Sequence, residues 1–201
     1  MALKLWYSPA SPFVRKVMVF AHEAGLADSI ELVTGDVWAT DSKILKDNPL
    51  GKVPALVTPD GVFPGSYLCC DYLDCLHAGN RLIPAGPRER WPVLQLHAFA
   101  DGIIEAAVAS VVEQLRRPKE FVYQGMLDRQ QGKIIGTLNK IAAMDLPRTA
   151  NIGSIALGCA LGYLDFRMPQ LGWRDGRTEL SLWYEPFSQR KSMQATVPRT
   201  A

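Results

Sequence analysis

The sequence predicts a two-part chain, an α/β segment followed by an all-helical one. Three observations carry that reading. The first third alternates between short strand-like runs and helix-like runs. A stretch rich in proline and glycine, His77 to Arg88, interrupts the pattern. Beyond it every apolar pattern has a helical period. Strand–helix–strand units imply a mixed sheet covered by helices.

The elements follow in order. Leu3 to Tyr7 is an apolar and aromatic run closed by Ser8-Pro9, and reads as a strand. Phe13, Val17, Phe20 and Ala24 then fall at helical spacing, with Arg15, Lys16 and Glu23 off that face. Ser11 suits the cap of this helix, Pro12 its first position, and Gly25 its end. Ile30 to Val33 is a second strand, followed by a loop with room for a short helix. Ala55–Thr58 and Val62-Phe63 flank Pro59-Asp60-Gly61, a hairpin signal. A helix starts at Ser66 and contains Leu68, Tyr72, Leu73 and Leu76. After the linker, helices are expected over Trp91–Leu115, Tyr123–Met144, Asn151–Met168 and Leu180–Gln189. Pro118, Pro147 and Pro169 separate the first three, and the tail from Ala195 reads as irregular.

The totals exclude several classes. The 201 residues are 48% hydrophobic and 21% charged, enough for a solid core. The net charge is +2 and no basic block is present, so neither nucleic acid nor an anionic membrane is an expected partner. The opening residues do not read as a signal peptide. The most apolar stretch, Ile152 to Leu164, is too short and glycine-rich for a bilayer span and reads as a buried helix. Cys69, Cys70, Cys75 and Cys159 lack a histidine pair at zinc spacing, and His22, His77 and His97 are scattered, so no metal site is expected. Free packed thiols in a reducing cytoplasm are the simplest reading. Trp91, Trp173 and Trp183 read as core anchors. Asp101 and Glu105 share one face of the long helix, either bordering a cleft or facing solvent, with solvent favoured.

Three motifs carry chemistry together. Tyr7-Ser8-Pro9-Ala10-Ser11-Pro12-Phe13 puts hydroxyls at a helix start, where free amides and a partial positive charge suit an anion such as a thiolate. Asn48-Pro49-Leu50-Gly51-Lys52-Val53-Pro54-Ala55-Leu56 has a Val-Pro step suited to a cis bond, which would expose the valine backbone to an extended peptide. Pro64-Gly65-Ser66 opens a helix that can hold a carboxylate. Taken singly, Ser11 and Ser66 could be plain caps and Val53-Pro54 a plain strand start. Their order on this plan is far more specific.

That order resembles the soluble glutathione S-transferase superfamily. Ser11-Pro12-Phe13 is similar to the Ser-Pro-Phe of tau-class members and to the Cys-Pro-Phe of omega-class members. Asn48 to Leu56 is similar to the family's Asn-Pro-x-Gly-x-Val-Pro-x-Leu segment, and Asp71-Tyr72-Leu73 to the end of its third helix. Ala100 to Ile103, Gly158 to Arg167 and Phe187 to Arg190 resemble a small bacterial branch, so the resemblance covers nearly the whole chain.

The resemblance implies a thioredoxin-like glutathione-binding domain over residues 1–78 and an all-α helical-bundle domain over 88–201. It implies glutathione as co-substrate, a small electrophile as partner, a cytoplasmic homodimer and a detoxifying transferase. Ser11 would donate a hydrogen bond to the glutathione sulfur, with Ser8 as the second candidate, and Phe13 would line the site. Val53, with Pro54 cis, would pair with the cysteinyl backbone. Lys52 would meet the glycyl carboxylate and Ser66 the γ-glutamyl carboxylate. The rival function is a non-catalytic binding or regulatory protein of the same fold; glutathione-dependent reduction ranks below both, since it usually needs cysteine where Ser11 stands.

Two positions depart from the family pattern. Gly65 replaces an acid that would meet the γ-glutamyl amine, a contact of about 1.5–3 kcal/mol, or roughly 10- to 100-fold in affinity. Asn151 and Ser154 replace the Ser or Thr and the Asp of a capping box, a change that touches folding more than chemistry.

Overall fold

Leu3 and Leu5 of the first strand face one apolar layer, and Trp6 faces a smaller one with Ile44 and Ala55. That two-sided alternation marks a strand covered on both faces. The computed structural model describes residues 3–200. Strands β1 (Leu3–Tyr7), β2 (Ile30–Thr34), β3 (Ala55–Thr58) and β4 (Gly61–Pro64) form one sheet in the order β2-β1-β3-β4. β1 pairs parallel with β2 and antiparallel with β3, and β3 forms a hairpin with β4. The sheet is therefore mixed, as the strand–helix–strand pattern requires.

Helices α1 (Pro12–Glu23) and α2 (Ser66–Asp74) belong to this first segment and pack on each other. The expected linker is short and well tied. Asp74, buried at the end of α2, accepts the backbone N–H groups of Leu82 and Ile83. The second segment holds α3 (Pro87–Arg116), α4 (Gln124–Ala142), α5 (Ile152–Arg167), α6 (Thr178–Ser188) and α7 (Lys191–Ala195). The α3 helix starts four residues earlier than expected, because Pro87 suits its first turn. The α7 helix was not legible as an element, being a single short run of mixed polarity.

The largely apolar α5 forms the centre. Every residue from Ile152 to Leu164 is buried, and α5 packs against α3, α1 and α6. Its start shows the altered capping box intact: Asn151 accepts from Ser154 N and the Ser154 hydroxyl accepts from Asn151 N, both at 2.9 Å. Among the described residues, α3 alone is long and apolar enough to cross a membrane by length and composition; here it packs against α4 and α5.

One hydrophobic cluster runs through both segments. This explains a face of α1 that sequence pattern assigned wrongly. Arg15 and Lys16 were placed off the buried side of α1, yet Arg15 is 8% exposed and Lys16 is fully buried. The apolar spacing marks the side of α1 against the sheet, while the helical segment covers the other side. Glu23 is likewise enclosed, held by two hydrogen bonds from Arg190 and one from Ser192 that fasten α7 to the end of α1.

Candidate active site

The three sequence motifs converge at one end of the sheet. Trp6 pairs with Ala55 in register, so the turn after β1 and the segment before β3 leave the sheet side by side. Ala55 pairs in turn with Pro64, which brings the start of α2 to the same place. The Val53-Pro54 peptide bond is cis. Gly65 N–H donates to the Pro54 carbonyl at 3.1 Å and fastens the second motif to the third. Val53 lies two residues before the first ladder residue of β3, Ala55, so its backbone falls outside the sheet's own pairing.

Asn48 holds the loop before it. Its side chain is buried, donates to the Lys52 carbonyl at 2.7 Å and accepts from Leu50 N at 3.1 Å. Gly51 turns the chain at φ +62°, a conformation costly for residues with a Cβ. Lys52 is left exposed on the rim.

Ser11 is the N-cap of α1, and its oxygen accepts from Val14 N at 3.3 Å. The plain cap reading is thus correct, and it leaves room for chemistry. The oxygen serves the helix, while the hydroxyl hydrogen stays free to donate to an anion. Phe13 is half-buried beside it in the first turn. Ser66 is no cap: Gly65 occupies that position, and Ser66 is the first residue of α2, buried to 6% exposure. No side chain caps the first-turn amides of α2, so they and the Ser66 hydroxyl form a ready carboxylate cradle. Gly65 sits at φ +85°, ψ 141°, where an L-residue costs about 1–3 kcal/mol. Glycine relieves that strain, and with it goes any acid at this position.

Behind Phe13 lies a cluster that motif reading missed. The fully buried Lys16 ammonium donates to Asp101 Oδ1 and sits 3.0 Å from His97 Nε2. Lysine can only donate, so His97 accepts through Nε2 and carries its ring proton on Nδ1. Asp101 was expected to face solvent; it instead pairs with a cation arriving from α1, which the pattern of α3 alone could not show. Glu105, the other residue on that face, is exposed and lines a cavity of about 380 Å³ between α3 and α4 that contains none of the motif residues.

Burial pushes the His97 imidazole down to about 4, and the neighbouring Lys16 ammonium adds to the effect, while Asp101 opposes it. The depressed value has a testable consequence. Between the ordinary value of 6.5 and about 4 the unfolded chain binds a proton that the folded protein does not. Stability contributed by neutral His97 is therefore full above 6.5 and is lost as the pH falls towards 4, by about 3 kcal/mol. Denaturant unfolding across that window is expected to show this loss, and His97→Gln to flatten it.

The three buried thiols are not reactive groups. Burial raises Cys69 to about 12 and Cys159 to about 11, and pushes Cys70 well up, so none is a thiolate at neutral pH. Cys75 departs from the packing expectation: it caps α2 at its C-terminus and is exposed. Trp173 and Trp183 pack as anchors, with indole N–H groups donating to Asp165 and to the Pro147 carbonyl. Trp91 does not; it is 65% exposed, because the first turns of α3 project before the helix enters the bundle.

The far wall comes from α3. Thr34 pairs with Tyr7, so the loop after β2 begins beside the Ser8–Ser11 turn. Trp38 in that loop lies under the Arg116 guanidinium, 4.6 Å from ring centroid to carbon. The loop after β2 and the end of α3 thus touch each other.

Comparison with known proteins agrees with this fold. Residues 10–78 match the family described as glutathione S-transferase, N-terminal domain. The uncharacterized GST-like protein YibF of Escherichia coli K12 is 34% identical, covering 99% of this chain and 100% of its own. A glutathione transferase family member from Pseudomonas fluorescens Pf-5 has been solved with bound glutathione. It is 42% identical, with a TM-score of 0.93 over 98% of this chain and 100% of its own. The same relative has been solved with bound S-(propanoic acid)-glutathione. A glutathione S-transferase from Methylobacillus flagellatus KT with bound glutathione is 31% identical, with a TM-score of 0.89 over 98% of this chain and 100% of its own. Similarity at this level over essentially the whole length places the chain in the glutathione S-transferase family.

Proposed function

We propose that this chain is a glutathione transferase whose Ser11 activates the glutathione thiol for attack on a small electrophile. The observation that carries the reading is the meeting of Ser11, Val53 and Ser66 at one sheet end, with the Val53 backbone and the Ser66 hydroxyl outside the ladder and cap bonds and the Ser11 hydroxyl hydrogen left to donate. Ser66 and the α2 amides receive the γ-glutamyl carboxylate, the Val53 backbone pairs with the cysteinyl residue, and Lys52 meets the glycyl carboxylate. The thiol proton passes to solvent, and the Ser11 hydroxyl donates to the resulting thiolate. A sulfur–carbon bond then forms as the electrophile loses its leaving group or takes a proton from water at the adjacent carbon.

The electrophile occupies the cleft between the Ser8–Ser11 turn, the Trp38 loop and the end of α3. The Pseudomonas relative's ligand, S-(propanoic acid)-glutathione, supports a compact acceptor that leaves a short acid on sulfur. We place the reaction in the cytoplasm, where free thiols persist, with residues 1–78 supplying glutathione recognition, 88–201 the second wall, and a homodimer as the working unit.

Calorimetry tests the site. Glutathione is expected to bind in the micromolar to low-millimolar range, and Ser66→Ala to weaken it about tenfold or more through loss of a hydrogen bond to a charged group. No binding at several millimolar would favour the second reading, a non-catalytic binding protein of the same fold. Gly65 is the specific observation behind that alternative.

A further inference from the structure

The carboxylate cradle at the start of α2 is touched from the second segment through Tyr67, which follows Ser66 directly and is half-buried. The Tyr67 ring lies against the His97 imidazole, with centroids 5.1 Å apart and planes tilted by 58°. Its hydroxyl accepts from Arg90 Nη2 at 3.4 Å, and the same guanidinium donates through Nη1 to the Pro84 carbonyl at 3.0 Å. Arg90 and His97 stand about two turns apart on α3 and so share one face of it.

The rest of α2 is fixed differently. Cys69, Cys70 and Leu73 are buried in the core that α2 shares with α1. Further along, Tyr72 stacks on Phe63 at 4.5 Å and donates to Asp60. These contacts lie within the first segment. The first turn has no side-chain cap, and helix ends fray where such partners are missing. A wall against Tyr67 therefore bears directly on where Ser66 points.

The His97 ring is held to serve as that wall. It is 8% exposed, its Nε2 lies 3.0 Å from Lys16 Nζ, and Lys16 is in turn held by Asp101. Lys16 Nζ also lies 5.9 Å from the Phe13 ring, on the α1 side of the site. One buried imidazole thus joins the two helices that carry Ser11 and Ser66 to α3.

We propose that His97 is a positioning residue, through which α3 sets the first turn of α2 and so the aim of the Ser66 hydroxyl and its neighbouring amides at a γ-glutamyl carboxylate. The ring face carries this role, and the Nε2 acceptor serves the buried Lys16 pair. The ligand of the cradle rests on the function proposed above; the link between His97 and the turn does not.

Calorimetry with glutathione and hydrogen exchange of the ligand-free chain test the two parts separately. His97→Ala is expected to weaken glutathione binding about three- to tenfold, the size of one aromatic contact. It is also expected to speed exchange of the Cys69 amide, whose bond to the Gly65 carbonyl closes the first turn, relative to the amides of α5. The thiol pKa of bound glutathione is expected to stay at its wild-type value, because Ser11 is untouched. His97→Phe keeps a ring against Tyr67 and gives up the acceptor. It is expected to lose stability in urea yet restore both the affinity and the slow exchange of the turn. Affinity that falls in step with stability in both variants would overturn the proposal. If His97→Ala does not fold, Tyr67→Leu removes the same contact from the α2 side, with the same losses expected. Unchanged Cys69 exchange in whichever of these two variants folds would also overturn it. Wild-type protein that binds no glutathione would refute the function proposed above, and exchange would then decide the role of His97 alone.

Discussion

Replacing Lys16 by methionine is expected to destabilise the protein by about 3–5 kcal/mol, the range for stripping one partner from a buried ion pair. Methionine matches the lysine stem in length, so little packing is lost. What is lost is the cation. Asp101 then keeps a charge that is 21% exposed, too little for water to replace the ammonium, and His97 Nε2 loses its donor. The cost should fall on the contact between α1 and α3, which holds the Ser11 turn against the second wall of the cleft. Urea unfolding at neutral pH measures it. The double variant Lys16→Met with Asp101→Leu is expected to recover a large part of the loss, because an apolar pair of similar volume removes both the charge and its unmet demand. A loss below about 1 kcal/mol in the single variant would show that the pair behaves as a surface ion pair.

That cluster also marks where sequence reading stopped. Strands, turns and caps are local, and they were legible: the Pro59-Asp60-Gly61 hairpin, the Ser11 cap and the Asn151–Ser154 box all stand where residue type and spacing put them. The three motifs were legible one by one, but what brings them together is the pairing of β1 with β3 and of β3 with β4, which local pattern does not give. Lys16, by contrast, looks like a surface lysine on α1, and Asp101 like a surface acid on α3. Only the packing of one segment on the other turns both inward. Arg15 fails for the same reason, since its room is made by Gly162, far away in the chain. Trp91 fails in the opposite sense: an aromatic residue suggests burial, but its helix begins before the bundle does. Gly65 was read as a missing acid, and its positive φ gives the backbone side of that trade.

Ser11→Ala is expected to raise the pKa of bound glutathione by about one to two units and to reduce turnover at neutral pH about 10- to 100-fold. A free thiol has a pKa near 8.5, roughly. A hydroxyl hydrogen bond to the thiolate contributes about 1.5–3 kcal/mol, and the α1 terminus about 0.3–1 kcal/mol more. At about 1.4 kcal/mol per unit, the two together bring the thiolate to a major share at neutral pH. Alanine removes the first contribution and leaves most of the second. Thiolate absorbance in the ultraviolet, titrated with glutathione saturating, reads the pKa directly. The substitution also removes the Val14 cap, worth about 1 kcal/mol, so unfolding must be followed alongside. Ser11→Thr separates the two roles: it keeps both cap and hydroxyl and should retain most of the activity. An unchanged thiolate titration and turnover in Ser11→Ala would move the role to Ser8, whose carbonyl accepts from Ser11 N in the same turn. A raised pKa with glutathione affinity preserved would fix Ser11 as a group that acts on sulfur alone, leaving recognition to Val53, Lys52 and Ser66.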